Sequence, residues 1–323
     1  MDLSSVLFHA IPSVMSILGM SAVFHRSIQP LTRHLGGRHG QIPAHPLSSP
    51  DSYSVAARDL SFHILEWTGS DPPLVFFHGL NNNAWSWARV ASLFAPKRRI
   101  LALDSRGHGH TAAPASGYSL EDTTQDIKAV FDTLGLDTVD LAGHSWGGKV
   151  AMHFTCTHPT RVHRLALADP VPPAGFNRLL QAFPGLISLA LRAERGPFPN
   201  HQAWEKAGKR LVYLQPWDAW DQKLWSAAFR QTAHGAYHHV LPESAFQEII
   251  LHALQQDITD KLGALRMPVL LMRPTLTLSF FPGELRSFRK ALPHRIEKRI
   301  AGDHTFIHTN PFDTHDILQK FFS

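Results

Sequence analysis

The residues best suited to chemistry are five in a row, Gly143-His144-Ser145-Trp146-Gly147. A serine hydroxyl is a weak nucleophile unless it is presented clear of its own backbone and beside a base. A sharp turn presents it that way and leaves no room for side chains two positions to either side, where this chain has glycine. An apolar stretch from Thr138 to Ala142 leads in, and the spacing of Val150, Ala151 and Phe154 predicts a helix leading out. That helix would aim its N-terminal N–H groups and positive dipole end at negative charge developing beside Ser145. Strand, turn and helix around Gly-x-Ser-x-Gly make a nucleophilic Ser145 the expectation, over a chance match in a loop. Such a serine needs a base, an acid behind the base, and N–H donors for an oxyanion.

The elements that must position these groups are legible along the chain. Ser61 to Trp67 alternates like a half-exposed antiparallel strand, Asp71-Pro72-Pro73 reads as a turn, and Leu74 to Phe77 is a short buried strand ending in His78-Gly79-Leu80. A helical stretch from Trp85 to Phe94 precedes a second buried strand, Arg99 to Leu103, which ends in Asp104-Ser105-Arg106-Gly107-His108-Gly109. Ser119 with Asp122 three residues on predicts a capping box opening a helix that runs to Leu134. The Ser145 unit repeats the rhythm, and Val162 to Ala168 is a further strand closed by Asp169-Pro170. Sheet periodicity resumes at Pro268 to Met272, with a helix from Glu284 to Leu292, a last strand from Arg295 to Ile300, Asp303-His304, and a terminal helix from Asn310-Pro311. Alternating buried strands and helices predict an α/β fold, a mostly parallel central sheet with helices on both faces. Between Asp169 and Met267 the rhythm breaks: Trp204, Trp217, Trp220 and Trp225 fall there, with prolines and no clear strand, which reads as a helical insertion. The expected organisation is therefore a core from residues 51–169 and 263–323, with an insertion at 170–262.

Residues 3–50 contain no Asp or Glu and carry an apolar stripe, Leu3, Leu7, Ala10, Ile11, Val14 and Leu18, interrupted by Pro12. Residues 1–50 read as an N-terminal extension, either a packing or membrane-surface arm of a cytoplasmic protein, which is preferred, or an organellar transit peptide.

At 323 residues the chain has room for one large domain or a domain with an insertion. The net charge of +5 comes from scattered Lys and Arg, without a basic stripe interleaved with aromatics, so nucleic-acid binding is not expected. A single cysteine, Cys156, excludes an intramolecular disulfide and a cysteine zinc site, and it is expected to be a buried, inert thiol. The 22 histidines are spread without ligand spacing beside carboxylates, so neither metal nor cofactor is expected.

Taken together, His78-Gly79, Asp104 to Gly109, Gly143 to Gly148, and Gly302-Asp303-His304 followed by Asn310-Pro311 resemble the α/β-hydrolase superfamily, in its order, from about Tyr53 onward. The resemblance implies that residues 170–262 form a helical cap. It implies His304 as the base, with His308 as rival, and the backbone N–H groups of Leu80 and Trp146 as oxyanion donors. His144 and His78 are expected to be structural, Asp303 to be a loop residue, and Asp104 to brace the Arg106 loop. Most members place the acid after the strand that is here Val269 to Met272, but no carboxylate follows before Glu284, at the start of a helix. Haloalkane dehalogenases place it after the preceding strand, and Asp169 resembles that position, so Asp169 is preferred over Glu284. Those enzymes use an aspartate where this chain has Ser145, and the resemblance stops short of dehalogenation.

The expected activity is that of a serine hydrolase cleaving an ester, lactone or thioester of a small apolar substrate through an acyl-enzyme on Ser145. C–C bond hydrolysis and cofactor-free perhydrolysis use the same triad and stay open. A non-catalytic binding protein on this fold is the alternative from another class, and such proteins commonly lose the base or acid.

Overall fold

The computed structural model describes residues 48–175, 191, 194–211, 216–277, 279–280 and 282–323. The reading of an N-terminal arm at 1–50 thus falls outside the described residues, apart from its last three. Among the described residues, no helix is long and apolar enough to cross a membrane.

In chain order the strands are β1 (Asp51–Ala57), β2 (Leu60–Trp67), β3 (Ser70–Phe77), β4 (Arg98–Leu103), β5 (Val139–His144), β6 (Val162–Ala168), β7 (Phe229–Gln231), β8 (Tyr237–His239), β9 (Val269–Pro274) and β10 (Ile296–Ile300). The helices are α1 (Ala88–Phe94), α2 (Leu120–Thr133), α3 (Trp146–Thr157), α4 (His201–Arg210), α5 (Ala219–Ala227), α6 (Glu243–Gln255), α7 (Thr259–Leu262), α8 (Pro282–Ala291), α9 (Phe306–Thr309) and α10 (Pro311–Phe322). Eight strands form one sheet in the order β1-β2-β4-β3-β5-β6-β9-β10. It is parallel from β4 through β10, with β1 and β2 antiparallel at one edge.

The central strands are buried on both faces because consecutive residues along most of their length are apolar, whereas the edge strands β1 and β10 are largely exposed. Val75, Phe77, Leu101, Leu141, Leu165 and Leu271 face one core with α2, α3, α6 and α8. Their neighbours Leu74, Phe76, Ile100, Ala142, Ala166 and Leu270 face a second core with α1 and α10. Burial of each large side chain contributes about 2 kcal/mol, which holds the strands carrying the chemistry in fixed register.

Four local readings are corrected. Asp71-Pro72-Pro73 lies inside β3 rather than in a turn; proline offers no N–H, and the ladder to β4 skips from Ser70 to Leu74. The helical stretch from Trp85 opens as a 3-10 turn, Ala84–Trp87, before α1. Strand β1, whose Tyr53, Val55 and Ala57 alternate toward the core, was not expected. The region between β6 and β9 is not purely helical, since β7 and β8 pair as a short antiparallel hairpin. Ser119 forms the expected capping box with Asp122 at the head of α2.

Candidate active site

Ser145 lies between the end of β5 and the start of α3, with φ of 54° and ψ of −120°. That left-handed conformation is costly for a side chain, of order 1–3 kcal/mol, and persists only where the surroundings enforce it. Here the Ser145 N–H donates to Ala168 O at 3.1 Å, and its carbonyl accepts from Val171 N at 2.9 Å and Gly148 N at 3.0 Å. The turn is tight because its glycines touch: a Cβ on Gly143 would lie 2.3 Å from Gly147 O.

The imidazole of His304, in the loop after β10, joins this serine to a carboxylate. Its Nε2 lies 3.0 Å from Ser145 Oγ and its Nδ1 lies 2.7 Å from Asp169 Oδ2. An ionised carboxylate only accepts, so Nδ1–H donates to Asp169 and Nε2 is left to accept the serine proton. Burial pulls the His304 pKa down, but the hydrogen bond and charge of Asp169, helped by Asp303 and Glu194, outweigh it and raise the pKa above its ordinary value of 6.5.

Asp169 follows β6, fully buried, with φ of 42°. Besides His304 it accepts from Thr277 Oγ1 at 2.7 Å and from Ser279 Oγ at 2.9 Å. Both hydroxyls come from the segment after β9, where an acid was looked for and none was found. That segment supplies donors to the carboxylate instead of the carboxylate itself. Glu284 sits in the first turn of α8, and the His304 nitrogen it would need is held by Asp169. His308 lies on α9; burial drives its pKa down to about 3, and His304 alone of the two bonds to Ser145.

The loop after β3 passes close over the serine. A Cβ on Gly79 would come within 3.1 Å of Ser145 Cβ and 3.2 Å of His144 Nδ1, so a glycine permits this approach of the loop to Ser145. Among the described residues, the backbone N–H groups of Leu80 and Trp146 donate to no backbone carbonyl. Trp146 opens α3, whose first N–H groups have no partner within the helix.

Histidines and carboxylates around this centre set its shape. His78 is buried, which lowers its pKa, and its Nε2 accepts from Ser105 N at 3.0 Å, tying the β3 loop to the β4 loop. His144 is also buried, its pKa driven well down by burial and by His304, and its Nε2 donates to His304 O at 2.8 Å. It therefore props the main chain of the histidine that faces Ser145. Asp104 braces more than expected: it accepts from His63 Nδ1 at 2.7 Å, Ala84 N at 2.6 Å and His110 N at 2.9 Å. It does not hold Arg106, whose partner is Asp126 at 2.5 and 2.7 Å. Asp303 caps its own loop by accepting from Thr305 N at 2.8 Å.

The segment between β6 and β9 is tied to the core around the site by several hydrogen bonds, Arg195 Nη1 to Asn81 Oδ1 at 2.8 Å among them. Asn83 Nδ2 donates to Leu224 O at 2.9 Å, and Arg89 Nη2 donates to both Asp218 and Asp221 at 2.9 Å. Trp204, Trp225 and Phe229 bury one another there, with Trp85 of the core packed against them. Cys156 is half-buried, and burial pushes its thiol up to about 11, as expected of an unreactive thiol. Among the described residues, no group of three or more His, Cys, Asp or Glu is placed to hold a metal ion.

Sequence and fold comparisons agree with this architecture. The chain is 33% identical over 132 residues to an epoxide hydrolase 1 of Caenorhabditis elegans, covering 40% of this chain and 32% of that protein. It is 32% identical over 123 residues to a soluble epoxide hydrolase of a Corynebacterium species, covering 38% and 42%. The matched part of the chain thus spans less than half the length of these relatives. The crystal structure of E-2-(acetamidomethylene)succinate hydrolase superposes with a TM-score of 0.73 at 22% identity, over 84% of this chain and 99% of that one. The alpha/beta hydrolase fold family matches residues 72–311, most of the sequence, and the chain belongs to that family.

Proposed function

We propose that the chain is a serine hydrolase that cleaves a carboxylic ester, lactone or thioester of an apolar substrate. The unbroken hydrogen-bond chain Ser145–His304–Asp169 carries this reading. Ser145 Oγ attacks the carbonyl carbon while its proton passes to His304 Nε2. Asp169 holds the resulting imidazolium in place without taking its proton. The carbonyl oxygen, now negative, is received by the N–H groups of Leu80 and Trp146, each worth about 3 kcal/mol of transition-state stabilisation. The C–O or C–S bond then breaks, and the leaving group takes the proton from His304. Water attacks the acyl-Ser145 carbonyl as His304 accepts its proton; the acyl–Oγ bond then breaks, His304 returns that proton to Ser145 Oγ, and the carboxylic acid departs.

Residues 170–262 act as a cap in this reading, tied to the core by Arg89 and Asn83, and the Trp204–Trp225–Phe229 cluster favours an apolar substrate. Turnover of p-nitrophenyl butyrate tests the proposal. Ser145→Ala is expected to lower kcat by at least about 10⁴-fold while the thermal transition stays at the wild-type temperature. Turnover retained in that variant would remove the nucleophile and the reading with it.

A further inference from the structure

At the β10 edge of the sheet, an open cleft of about 520 Å3 is lined by the buried Arg273 and the exposed Arg286, Arg289 and Arg299, together with Phe280 and Leu285. Two of these arginines stand directly opposite each other, since Arg273 of β9 pairs in register with Arg299 of β10. Like charges at such a position destabilise a sheet unless something neutralises them. Helix α8 adds two more, Arg286 and Arg289, three residues apart and therefore on one face.

Carboxylates do not balance this charge. Glu297 is shared among Arg273 at 3.2 Å, Arg289 at 2.7 Å and Arg295 at 3.4 Å. Among the described residues, no carboxylate lies within ion-pair distance of Arg286 or Arg299; Arg299 Nη2 donates to the carbonyl of Thr275 at 3.2 Å. Arg273 is 9% exposed, and its Nε is buried with no hydrogen-bond partner. A guanidinium buried with an N–H to spare is costly by itself and well suited to an anion that accepts from it.

The walls define what is attached to that anion. Phe280 and Leu285 are buried in the core yet line the cleft, so one side is apolar. The volume is in the range of sites for whole organic ligands, roughly 300–1,000 Å3, and far exceeds what inorganic phosphate fills. With four guanidinium groups against one carboxylate, a dianion matches the charge better than a monocarboxylate.

We propose that this cleft is a second ligand site, which takes an organic phosphate monoester. The arginines hold the phosphate oxygens, and Phe280 and Leu285 hold the apolar group it carries. The site does not depend on the chemistry at Ser145, so a failure here leaves the hydrolase reading standing, and the converse also holds.

Calorimetric titration of the full-length chain with 1-naphthyl phosphate tests it, alongside co-sedimentation with phosphatidylcholine vesicles with and without phosphatidic acid. Saturable binding of naphthyl phosphate, with 1-naphthol and inorganic phosphate each far weaker, is expected if the ligand is soluble. Recruitment only by vesicles that contain phosphatidic acid assigns the same site to a lipid headgroup. In either case Arg286→Gln with Arg299→Gln should weaken binding at least about tenfold without shifting the melting transition. Lys290→Gln, on the same helix but outside the lining, should leave binding unchanged. Absence of binding in both assays, or binding indifferent to the double variant, overturns the proposal.

Discussion

A serine hydroxyl gives up its proton only to a base that is unprotonated when the substrate arrives, so in the proposed mechanism the state of His304 governs the rate. Asp169 raises the His304 pKa above 6.5, and the neutral imidazole is the working form. The rising limb of kcat/KM against pH is therefore expected to bend above 6.5, and in Asp169→Asn to move to lower pH because the raising charge is gone. The same variant should lose about 10³- to 10⁴-fold in kcat, since an amide no longer selects the Nδ1–H tautomer, whereas Glu284→Gln should stay near wild type. Stopped-flow or initial-rate profiles across pH check both; a large loss in Glu284→Gln with Asp169→Asn active would reverse the acid assignment. Ser145 and His304 were visible in the sequence because motif and chain order point to them, whereas Asp169 was visible only through the missing carboxylate after Met272 and its resemblance to the acid position of haloalkane dehalogenases. Thr277 and Ser279 were not, because hydroxyl donors to a carboxylate depend on how a remote loop folds back, and no spacing in the chain records that.

At the scale of elements, the proposed catalytic geometry rests on backbone contact between the β3 loop and the turn into α3. Gly147 meets His78 O most tightly, and Gly79 is a second point of close approach, where an added Cβ would press on Ser145 Cβ and His144 Nδ1 at 3.1 and 3.2 Å. Gly79→Ala should push Leu80 away from the nucleophile and lower kcat at least about tenfold, a fraction of the loss seen on removing one oxyanion donor, with KM little changed. Unaltered kcat in a normally folded Gly79→Ala would mean the loop has no part in holding the oxyanion. Buried strands β4, β5, β6 and β9 were legible as apolar runs, and α2 by its capping box, since both signals are local. The proline-interrupted start of β3 and the three-residue strands β7 and β8 escaped notice because their pairing comes from neighbours and not from their own pattern.

Across the whole molecule, Ser145, Asp169 and His304, the nucleophile, acid and base of the proposed mechanism, follow the ends of β5, β6 and β10, far apart in sequence and brought together by the parallel sheet. The segment between β6 and β9 is anchored to that sheet by another group close to the nucleophile. Lys149, four residues after Ser145 on α3, is fully buried, and its Nζ donates to Ala253 O near the end of α6 at 3.0 Å. Burial lowers its pKa to about 7, against the pull of Asp257. In the unfolded chain a lysine titrates near ~10.4, so between about pH 7 and pH 10 the unfolded state binds more protons and stability from this site rises with pH. Relative to Lys149→Met, the wild type should gain on the order of 3 kcal/mol over that range in urea titrations; parallel curves would contradict a buried neutral amine.

The central claim is that Ser145 is an activated nucleophile, and covalent capture reads it without knowledge of the substrate. Treatment with a fluorophosphonate probe, followed by peptide mass spectrometry, should place the adduct on Ser145. Labelling should vanish in Ser145→Ala and slow by orders of magnitude in His304→Ala. An unlabelled wild-type chain, or an adduct on another residue, would contradict the account.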